Sequence, residues 1–315
     1  MGSPDEVIAP FKYLLDHAGA SALEVVAVVS QPARPVGRGG MMSDPALAAY
    51  AKERGVLCLQ PESAKSQDFL SELRALSPDV IVTAAYGQIL SEEFLGIPSI
   101  ATINIHPSEL PKYRGATPVP AALLDGLSAT AVTILFTVKK LDAGNIITQK
   151  SFDIASDETG GQLTRRLFEA SGPLLLDAIH TITTNPNFLG EPQNEVEATF
   201  CKKIDKDMGQ VDWNLPAQDI VNRFRAFEPW PGTWSTFQGR RVAITSLGPI
   251  ANGPPLGAGQ AVFDKSGKVL RVGCGDGQVG IRRMKPAGGK DMDAASFWNG
   301  IKDKSRDLYF EETRS

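Results

Sequence analysis

Asn104 and His106 stand two residues apart at the end of an alternation of apolar and polar residues. Because side chains along a strand repeat every two residues, both should project from the same face. This places a neutral amide donor beside a titratable imidazole at a strand's carboxyl end. The amide can stabilise an oxyanion while the imidazole moves a proton, which is a combination that suits acyl-type transfer.

A lone Asn-x-His triplet is common, and a histidine near a strand end is more often structural than catalytic. Asp142, in Leu-Asp-Ala-Gly-Asn just past a strand predicted at residues 131–138, is either a turn former or a partner for that imidazole. As a partner, its carboxylate would fix the tautomer of His106 and raise its pKa. The sequence does not show whether the two strands are neighbours.

Two loops accompany these residues. The run 108–115, Ser-Glu-Leu-Pro-Lys-Tyr-Arg-Gly, follows His106 almost directly and should stay open at the sheet's carboxyl edge, where α/β proteins bind ligands. The run 31–40 carries Arg34 and Arg38 between a strand and a helix, but no phosphate-loop or dinucleotide fingerprint. Its arginines either clamp a phosphate backbone or lie on a merely solvated loop.

The first half of the chain alternates short apolar runs with amphipathic patterns. This order predicts a doubly wound, mostly parallel α/β sheet that is covered on both faces. The predicted strands are 25–30, 80–85, 100–105 and 131–138, and the predicted helices are 44–55, 67–76, 157–169 and 173–182.

The sequence pattern of the chain changes after a polar stretch. A helix near 217–227 precedes five short strand-like runs separated by Gly-rich turns, which predicts a small antiparallel barrel of the kind that grips nucleic acid or carbohydrate. These runs are 233–238, 242–247, 260–264, 269–272 and 278–284. We therefore expect a catalytic domain at 1–184, a linker at 185–204 and a barrel domain at 205–315.

Composition narrows the class of protein. The 315 residues suffice for two domains, and no apolar run approaches the roughly 20 residues that span a bilayer. Residues 1–201 carry 14 basic against 23 acidic side chains, whereas residues 202–315 carry 18 against 13. A basic second half suits a polyanion ligand, although chance imbalance on a solvated surface would look the same. Three scattered cysteines indicate free thiols rather than a zinc site or disulfides.

Several motifs together resemble the methionyl-tRNA formyltransferase family, and the resemblance covers nearly the whole chain. These motifs are Gly2-Ser3-Pro4, the run 31–39, Ala85-Tyr86-Gly87, Asn104-x-His106-x-Ser108-x-Leu110-Pro111-x-x-Arg114-Gly115, Leu141-Asp142-x-Gly144 and Phe227-x-Pro229-Trp230-Pro231-Gly232. The last resembles the start of the family's C-terminal barrel of oligonucleotide-binding type.

The resemblance implies formyl transfer from 10-formyltetrahydrofolate to the α-amino group of initiator methionyl-tRNA. Asn104, His106 and Asp142 would then be catalytic, with the amide and a protonated imidazole stabilising the oxyanion. It further implies that no metal is needed, and we expect a monomer without a membrane partner. The remaining implied contacts are Ser108, Glu109, Leu110 and Pro111 for folate, and Arg34 and Arg38 for tRNA.

Three features depart from the family pattern. Glu109 replaces a residue that is usually apolar, and Gly40-Met41-Met42 stands where lysines are usual. Family members also begin with an apolar strand before the Gly-Thr/Ser-Pro turn, and here the chain starts at that turn. The first strand of a doubly wound sheet is central, so its absence should leave a buried gap with unpaired backbone groups. We expect the natural product to extend upstream.

Two rival functions remain open at this point. One is a folate-dependent formyltransferase or hydrolase that acts on a small molecule, and the other is a catalytically inactive RNA-binding paralogue. The resemblance implies action in the mitochondrial matrix or a plastid if the source is eukaryotic, and otherwise in the cytoplasm.

Overall fold

The computed structural model describes residues 1–20, 23–36, 40–250, 253–304 and 308–311, which form two compact units. The first unit comprises Met1–Pro118, Ala129–Ile154 and Leu163–Lys202. The second comprises Val119–Ser128, Ala155–Gln162 and Lys203–Ser315. Residues 185–202, which the sequence suggested as a linker, therefore cluster with the first unit.

The helices and strands run as follows from residue 1 to residue 202. They are α1 (Ile8–His17), β1 (Val28–Val29), β2 (Arg34–Val36), β3 (Met41–Ser43), α2 (Ala46–Glu53), β4 (Cys58–Leu59), α3 (Gln67–Ala75), β5 (Val80–Thr83), α4 (Glu92–Leu95), β6 (Ala101–His106), β7 (Arg114–Gly115), α5 (Pro118–Leu124), β8 (Ala129–Phe136), β9 (Ile146–Asp153), α6 (Gly160–Thr184) and β10 (Phe200–Cys201).

A four-stranded sheet in the order β5-β6-β8-β9 organises the first unit. β5 and β6 pair in parallel, whereas β6–β8 and β8–β9 pair antiparallel, so the predicted α/β sheet is confirmed and is mixed. Ile103 and Ile105 of β6 are buried on one face, which leaves the alternate residues Asn104 and His106 on the other. The apolar face of α3, Phe69, Leu70 and Leu73, packs in a core with β4 and β5.

The β1–β4 pair forms a separate parallel sheet. Among the described residues no ladder joins β1 to β5. The amide of Gly2 donates to Val29 O at 3.0 Å, and the amide of Ala84 donates to Met1 O at 2.9 Å. A largely apolar cavity of about 1340 Å³ lies beside these contacts, lined by residues of β1 and β5 among others.

Two predictions about elements of the first unit need correction. The helices predicted at 157–169 and 173–182 form one helix, α6, with Pro173 inside it. A proline removes one helical hydrogen bond, but the buried residues Leu163, Leu167, Leu175 and Ile179 continue a single apolar face across it. The strand predicted at 25–30 is reduced to β1, two residues long.

The second unit contains α7 (Ala217–Ala226) and a seven-stranded antiparallel sheet. Its strands are β11 (Thr233–Phe237), β12 (Arg240–Pro249), β13 (Gln260–Asp264), β14 (Val269–Gly273), β15 (Gln278–Pro286), β16 (Met292–Asp293) and β17 (Leu308–Glu311), and a short helix, α8 (Ala294–Asn299), follows β16.

The order β12-β11-β17-β13-β14-β15, with β12 also paired to β15, closes six of these strands into a barrel around Trp213, Leu270 and Ile281. The predicted barrel is confirmed, with β17 as a strand that the sequence pattern did not reveal. None of the helices that the structure describes is both long and apolar enough to cross a bilayer.

Candidate active site

The strand β6 and the chain leaving β8 bring the three predicted side chains together. His106 pairs with Thr133 of β8, and Asn104 pairs with Thr83 of β5 and with Leu135 of β8. The two strands that the sequence could not relate are therefore neighbours. Asp142 lies six residues beyond the end of β8, and its Oδ2 is 3.7 Å from His106 Nδ1.

The amide of Asn104 is held by Thr83. The Thr83 hydroxyl donates to Asn104 Oδ1 at 2.8 Å, and its oxygen is also 3.1 Å from Ile103 O. With Oδ1 engaged on this side, the amide nitrogen points away from Thr83. Since Asn104 is only half-buried, that N–H group can donate to a ligand.

The imidazole of His106 is buried, with only 4% of the residue exposed. Its Nε2 lies 3.0 Å from Tyr113 O, and because a carbonyl only accepts, Nε2 carries the proton. Burial lowers the pKa of His106 below its ordinary value of 6.5, although Asp142 and the Tyr113 carbonyl oppose this shift. Asp142 raises the pKa of His106, as expected, but desolvation outweighs the carboxylate and the net shift is downward. The neutral imidazole is the resting form near pH 7.

The carboxylate of Asp142 is fixed from its own side of the site. The amide of Gly115 donates to Asp142 Oδ2 at 2.8 Å, while the Asp142 backbone adopts the left-handed region with φ of 47°. Two residues further on, a Cβ on Gly144 would lie 1.7 Å from Phe136 O, so only glycine fits there. The 3.7 Å separation from His106 is too long for a hydrogen bond but short enough for an ion pair once the imidazole is protonated.

The stretch predicted to bind folate, residues 108–111, is partly buried. Ser108 is fully buried, its hydroxyl donates to Lys112 O at 2.8 Å, and its carbonyl accepts from Thr133 Oγ1 at 2.7 Å. Leu110 is also buried, whereas Glu109 is exposed and Pro111 half-buried. Leu110 and Pro111 line a cavity of about 760 Å³ together with residues of β9 and of 188–197.

Arg34 and Arg38 are the two residues predicted to contact tRNA. Arg34 lies in β2, is exposed, and faces Ser43 in a short antiparallel hairpin formed by β2 and β3. The sequence had suggested a loop without strands here. Arg38 lies outside the described residues.

Sequence reasoning missed two side chains that contact the Asp142 loop or its anchors. Gln193 donates to the carbonyl oxygens of Asp142 and Gly144, and Arg114 donates to Gln193 and Glu195. Arg114 had been noted only within a motif, and Gln193 within a presumed linker. Across the part of the chain that the structure describes, no group of three or more His, Cys, Asp or Glu side chains has the geometry to hold a metal ion.

An amide donor, an imidazole and a carboxylate thus lie together at one face of a mixed sheet. Such a set suits an enzyme that transfers an acyl group from a donor molecule to an acceptor. The fold is shared with solved structures, a sugar formyltransferase among them. WlaRD, a sugar 3N-formyl transferase, has a TM-score of 0.62 at 18% identity over 89% of this chain and 94% of its own. HypX from Aquifex aeolicus, solved with tetrahydrofolic acid, has a TM-score of 0.59 at 19% identity. That match covers 84% of this chain and 48% of HypX.

Comparisons of sequence are more specific. The model of the formyl transferase family matches residues 10–179, and that of the formyl transferase C-terminal domain matches residues 203–302. A methionyl-tRNA formyltransferase from Macrococcus caseolyticus is 37% identical over 312 residues, which are 99% of this chain and 98% of that protein. One from Akkermansia muciniphila is 36% identical over 319 residues, with the same coverage. The chain belongs to the formyl transferase family and, within it, to the methionyl-tRNA formyltransferases, and it is a one-carbon transferase.

Proposed function

We propose that the chain transfers a formyl group from 10-formyltetrahydrofolate to the α-amino group of initiator methionyl-tRNA. The observation that carries this proposal is the convergence of Asn104, His106 and Asp142, with 3.7 Å between His106 Nδ1 and Asp142 Oδ2. The names and the full-length similarity of the relatives support the choice of acceptor.

Asn104 would bind the formyl oxygen. Its amide nitrogen faces away from Thr83 and is free to donate where negative charge develops during attack, as in an oxyanion site. The folate, when bound, supplies a formyl group whose carbonyl carbon is open to attack by an amine. The cavity beside Leu110 and Pro111 supports a binding place for that co-substrate on this side of the sheet.

His106 and Asp142 would handle the proton. Burial favours the neutral imidazole and Nε2 carries its proton, so His106 begins as a base whose Nδ1 accepts the proton that the attacking amine loses. The imidazolium then lies beside the Asp142 carboxylate, which stabilises its charge. The proton returns to the nitrogen that leaves the formyl carbon, so His106 ends neutral again.

The acceptor would be held by Arg34 in the first unit and by basic side chains of the second unit. Arg34 in the first unit is exposed and available to a phosphate, and the sequence from residue 202 onward carries a net excess of five basic side chains. Phosphate contacts of this kind supply affinity and orientation without reading sequence.

The test is transfer of radiolabel from formyl-labelled 10-formyltetrahydrofolate to charged initiator tRNA. We expect labelled formylmethionyl-tRNA with the wild-type chain, and at least about 10²-fold slower labelling with Asn104→Ala. Uncharged initiator tRNA, which has the same phosphates but no α-amino group, is the matched control and should take no label.

Other outcomes separate the rival functions. Binding of tRNA with no transfer of label would indicate an inactive RNA-binding paralogue, and turnover of the folate without labelled tRNA would indicate a small-molecule acceptor or water. Either result would contradict the proposal. The compartment, mitochondrial, plastid or cytoplasmic, stays a prediction.

A further inference from the structure

Gln193 occupies an unusual position between the Asp142 loop and a buried arginine. Its Nε2 donates to Asp142 O at 2.8 Å and to Gly144 O at 2.7 Å. Its Oε1 accepts from Arg114 Nε at 3.1 Å and from Arg114 Nη2 at 2.8 Å. An amide offers two hydrogens and two lone pairs, so all four are used. Because carbonyls only accept and a guanidinium only donates, the orientation of this amide is fixed.

Arg114 is the anchor of this arrangement. It is fully buried, and its guanidinium also binds Glu195 through two contacts, Nη1 to Oε2 at 3.2 Å and Nη2 to Oε1 at 2.9 Å. Lys140 pairs with the same carboxylate. Arg114 and Lys140 lower the pKa of Glu195 to about 2, so Glu195 stays ionised at any pH at which the protein works. The guanidinium therefore has a permanent counter-charge.

The loop around Asp142, which Gln193 contacts, has a backbone conformation that neighbouring groups must stabilise. Asp142 sits in the left-handed region, which costs an ordinary residue free energy that its surroundings must supply. Its side chain is held by the amide of Gly115, and Gly115 pairs with Cys201 in the short ladder between β7 and β10. Gln193 holds the backbone carbonyl of the same residue.

We propose that Gln193, anchored by Arg114, is a positioning residue that holds the Asp142 loop in the conformation that directs the carboxylate at His106. The inference rests on the proposed function for its kinetic consequence, but its geometric part concerns only residues of the first unit. The segment around Gln193 thus completes the active site instead of merely joining two domains.

The chemistry explains why this support matters. Asp142 Oδ2 and His106 Nδ1 are 3.7 Å apart, and the charge interaction between them weakens as that distance grows. The imidazole also contacts the Tyr113 carbonyl, and the oxygen of that carbonyl lies 3.6 Å from Cys201 Sγ. A displacement of about 1 Å at such a site can cost up to about 10²-fold in rate.

Two variants separate positioning from general stability. Gln193→Met keeps the length of the side chain and removes all four hydrogen bonds. Gln193→Glu keeps an acceptor for Arg114 but cannot donate to Asp142 O and Gly144 O. The matched control is Gln67→Met, the same substitution at an exposed glutamine of α3 whose amide donates to Glu93.

The measurements are kcat, KM, melting temperature and the NMR titration of His106. The chain has only three histidines, so the His106 signal can be assigned by its loss in His106→Asn. For Gln193→Met we expect kcat to fall about 10- to 10²-fold with KM changed less than about threefold. We also expect a lower His106 pKa, because the carboxylate that raises it has moved away.

Gln193→Glu should show a similar fall in kcat and should melt near the wild-type temperature. If Gln193→Met does not fold, the result for Gln193→Glu alone tests whether Gln193 positions the Asp142 loop. Wild-type kcat in both variants, or a lower melting temperature with the titration of His106 unchanged, would overturn the proposal. The titration is read without substrate. It therefore separates a failure of this inference from a failure of the proposed formyl transfer.

Discussion

The first unit has two sides that differ in how completely they are packed. On one side of β5, the strands β6, β8 and β9 form a continuous ladder that carries Asn104 and His106. On the other side, Met1 and Gly2 provide the backbone contacts beside a cavity of about 1340 Å³. Side-chain hydrogen bonds, from Thr83 to Asn104 and from Gln149 to Thr133, also join neighbouring strands of this ladder. The difference suggests that catalytic geometry depends on the continuous side, while the cavity side tolerates loss of volume.

The largest expected effect tests that difference directly. Ile134 in β8 is fully buried and does not line the cavity, whereas Ile81 in β5 is 6% exposed and lines it. Ile134→Ala should lower the free energy of unfolding by about 3–5 kcal/mol, and Ile81→Ala by about 2 kcal/mol or less, because part of the space around Ile81 is already empty. Urea unfolding of both variants measures this. Equal losses would show that the two sides are packed alike.

The next prediction concerns the amide on the continuous side. Asn104→Ala removes the proposed donor to the formyl oxygen and should reduce kcat about 10²–10³-fold, the usual loss for one oxyanion donor. Steady-state kinetics with formyl-labelled folate give the value. The control Asn187→Ala removes an exposed amide outside the site and should leave kcat unchanged. An unaltered kcat in Asn104→Ala would remove this residue from the chemistry.

A somewhat smaller effect is expected from the carboxylate. Asp142→Asn keeps an acceptor for the amide of Gly115 but removes the charge, so kcat should fall about 10²-fold. Burial lowers the pKa of His106 and the Asp142 carboxylate opposes this, so the variant's pKa should be lower still. Since the imidazole must be neutral to accept a proton, activity in the wild type is lost as pH falls through that pKa. In the variant the acid limb of the pH–rate profile should therefore move to lower pH.

The control for this experiment is Asp68→Asn, which removes a charge from the exposed surface of α3. It should leave both the rate and the acid limb in place. A limb that moved to higher pH in Asp142→Asn would contradict the assignment of His106 as the titrating group, because loss of a nearby negative charge can only disfavour the imidazolium.

The sequence predicted some strands well and missed others. β5, β6 and β8 were placed within a few residues because each is a short apolar run bounded by turn residues. β9 was missed because none of its eight residues is buried and its middle residues, 148–151, are polar. β17 contributes a four-residue alternation, too short to stand out. Pro173 suggested a break that tertiary packing along α6 overrides.

The site shows the same limit at the level of single residues. The spacing of Asn104 and His106 follows from the two-residue period of a strand, and the family motif pointed to Asp142. The contact between Arg114 and Gln193 joins residues 79 positions apart, and no local pattern predicts such a pairing. The lowered pKa of His106 likewise arises from burial, which depends on the whole packed unit.

The smallest expected effect concerns Arg34 and Arg38, the two arginines of the run 31–40. Arg34→Ala and Arg38→Ala should each raise KM for the charged tRNA about 3- to 10-fold and leave kcat nearly unchanged, because phosphate contacts add affinity and not chemistry. The slope of log KM against log salt concentration should fall by about one for each phosphate that the variant no longer neutralises. Arg74→Ala, in an exposed arginine of α3 that pairs with Glu93, is the matched control. A change in kcat with an unchanged salt slope would place the arginines in the site's chemistry and not on the RNA.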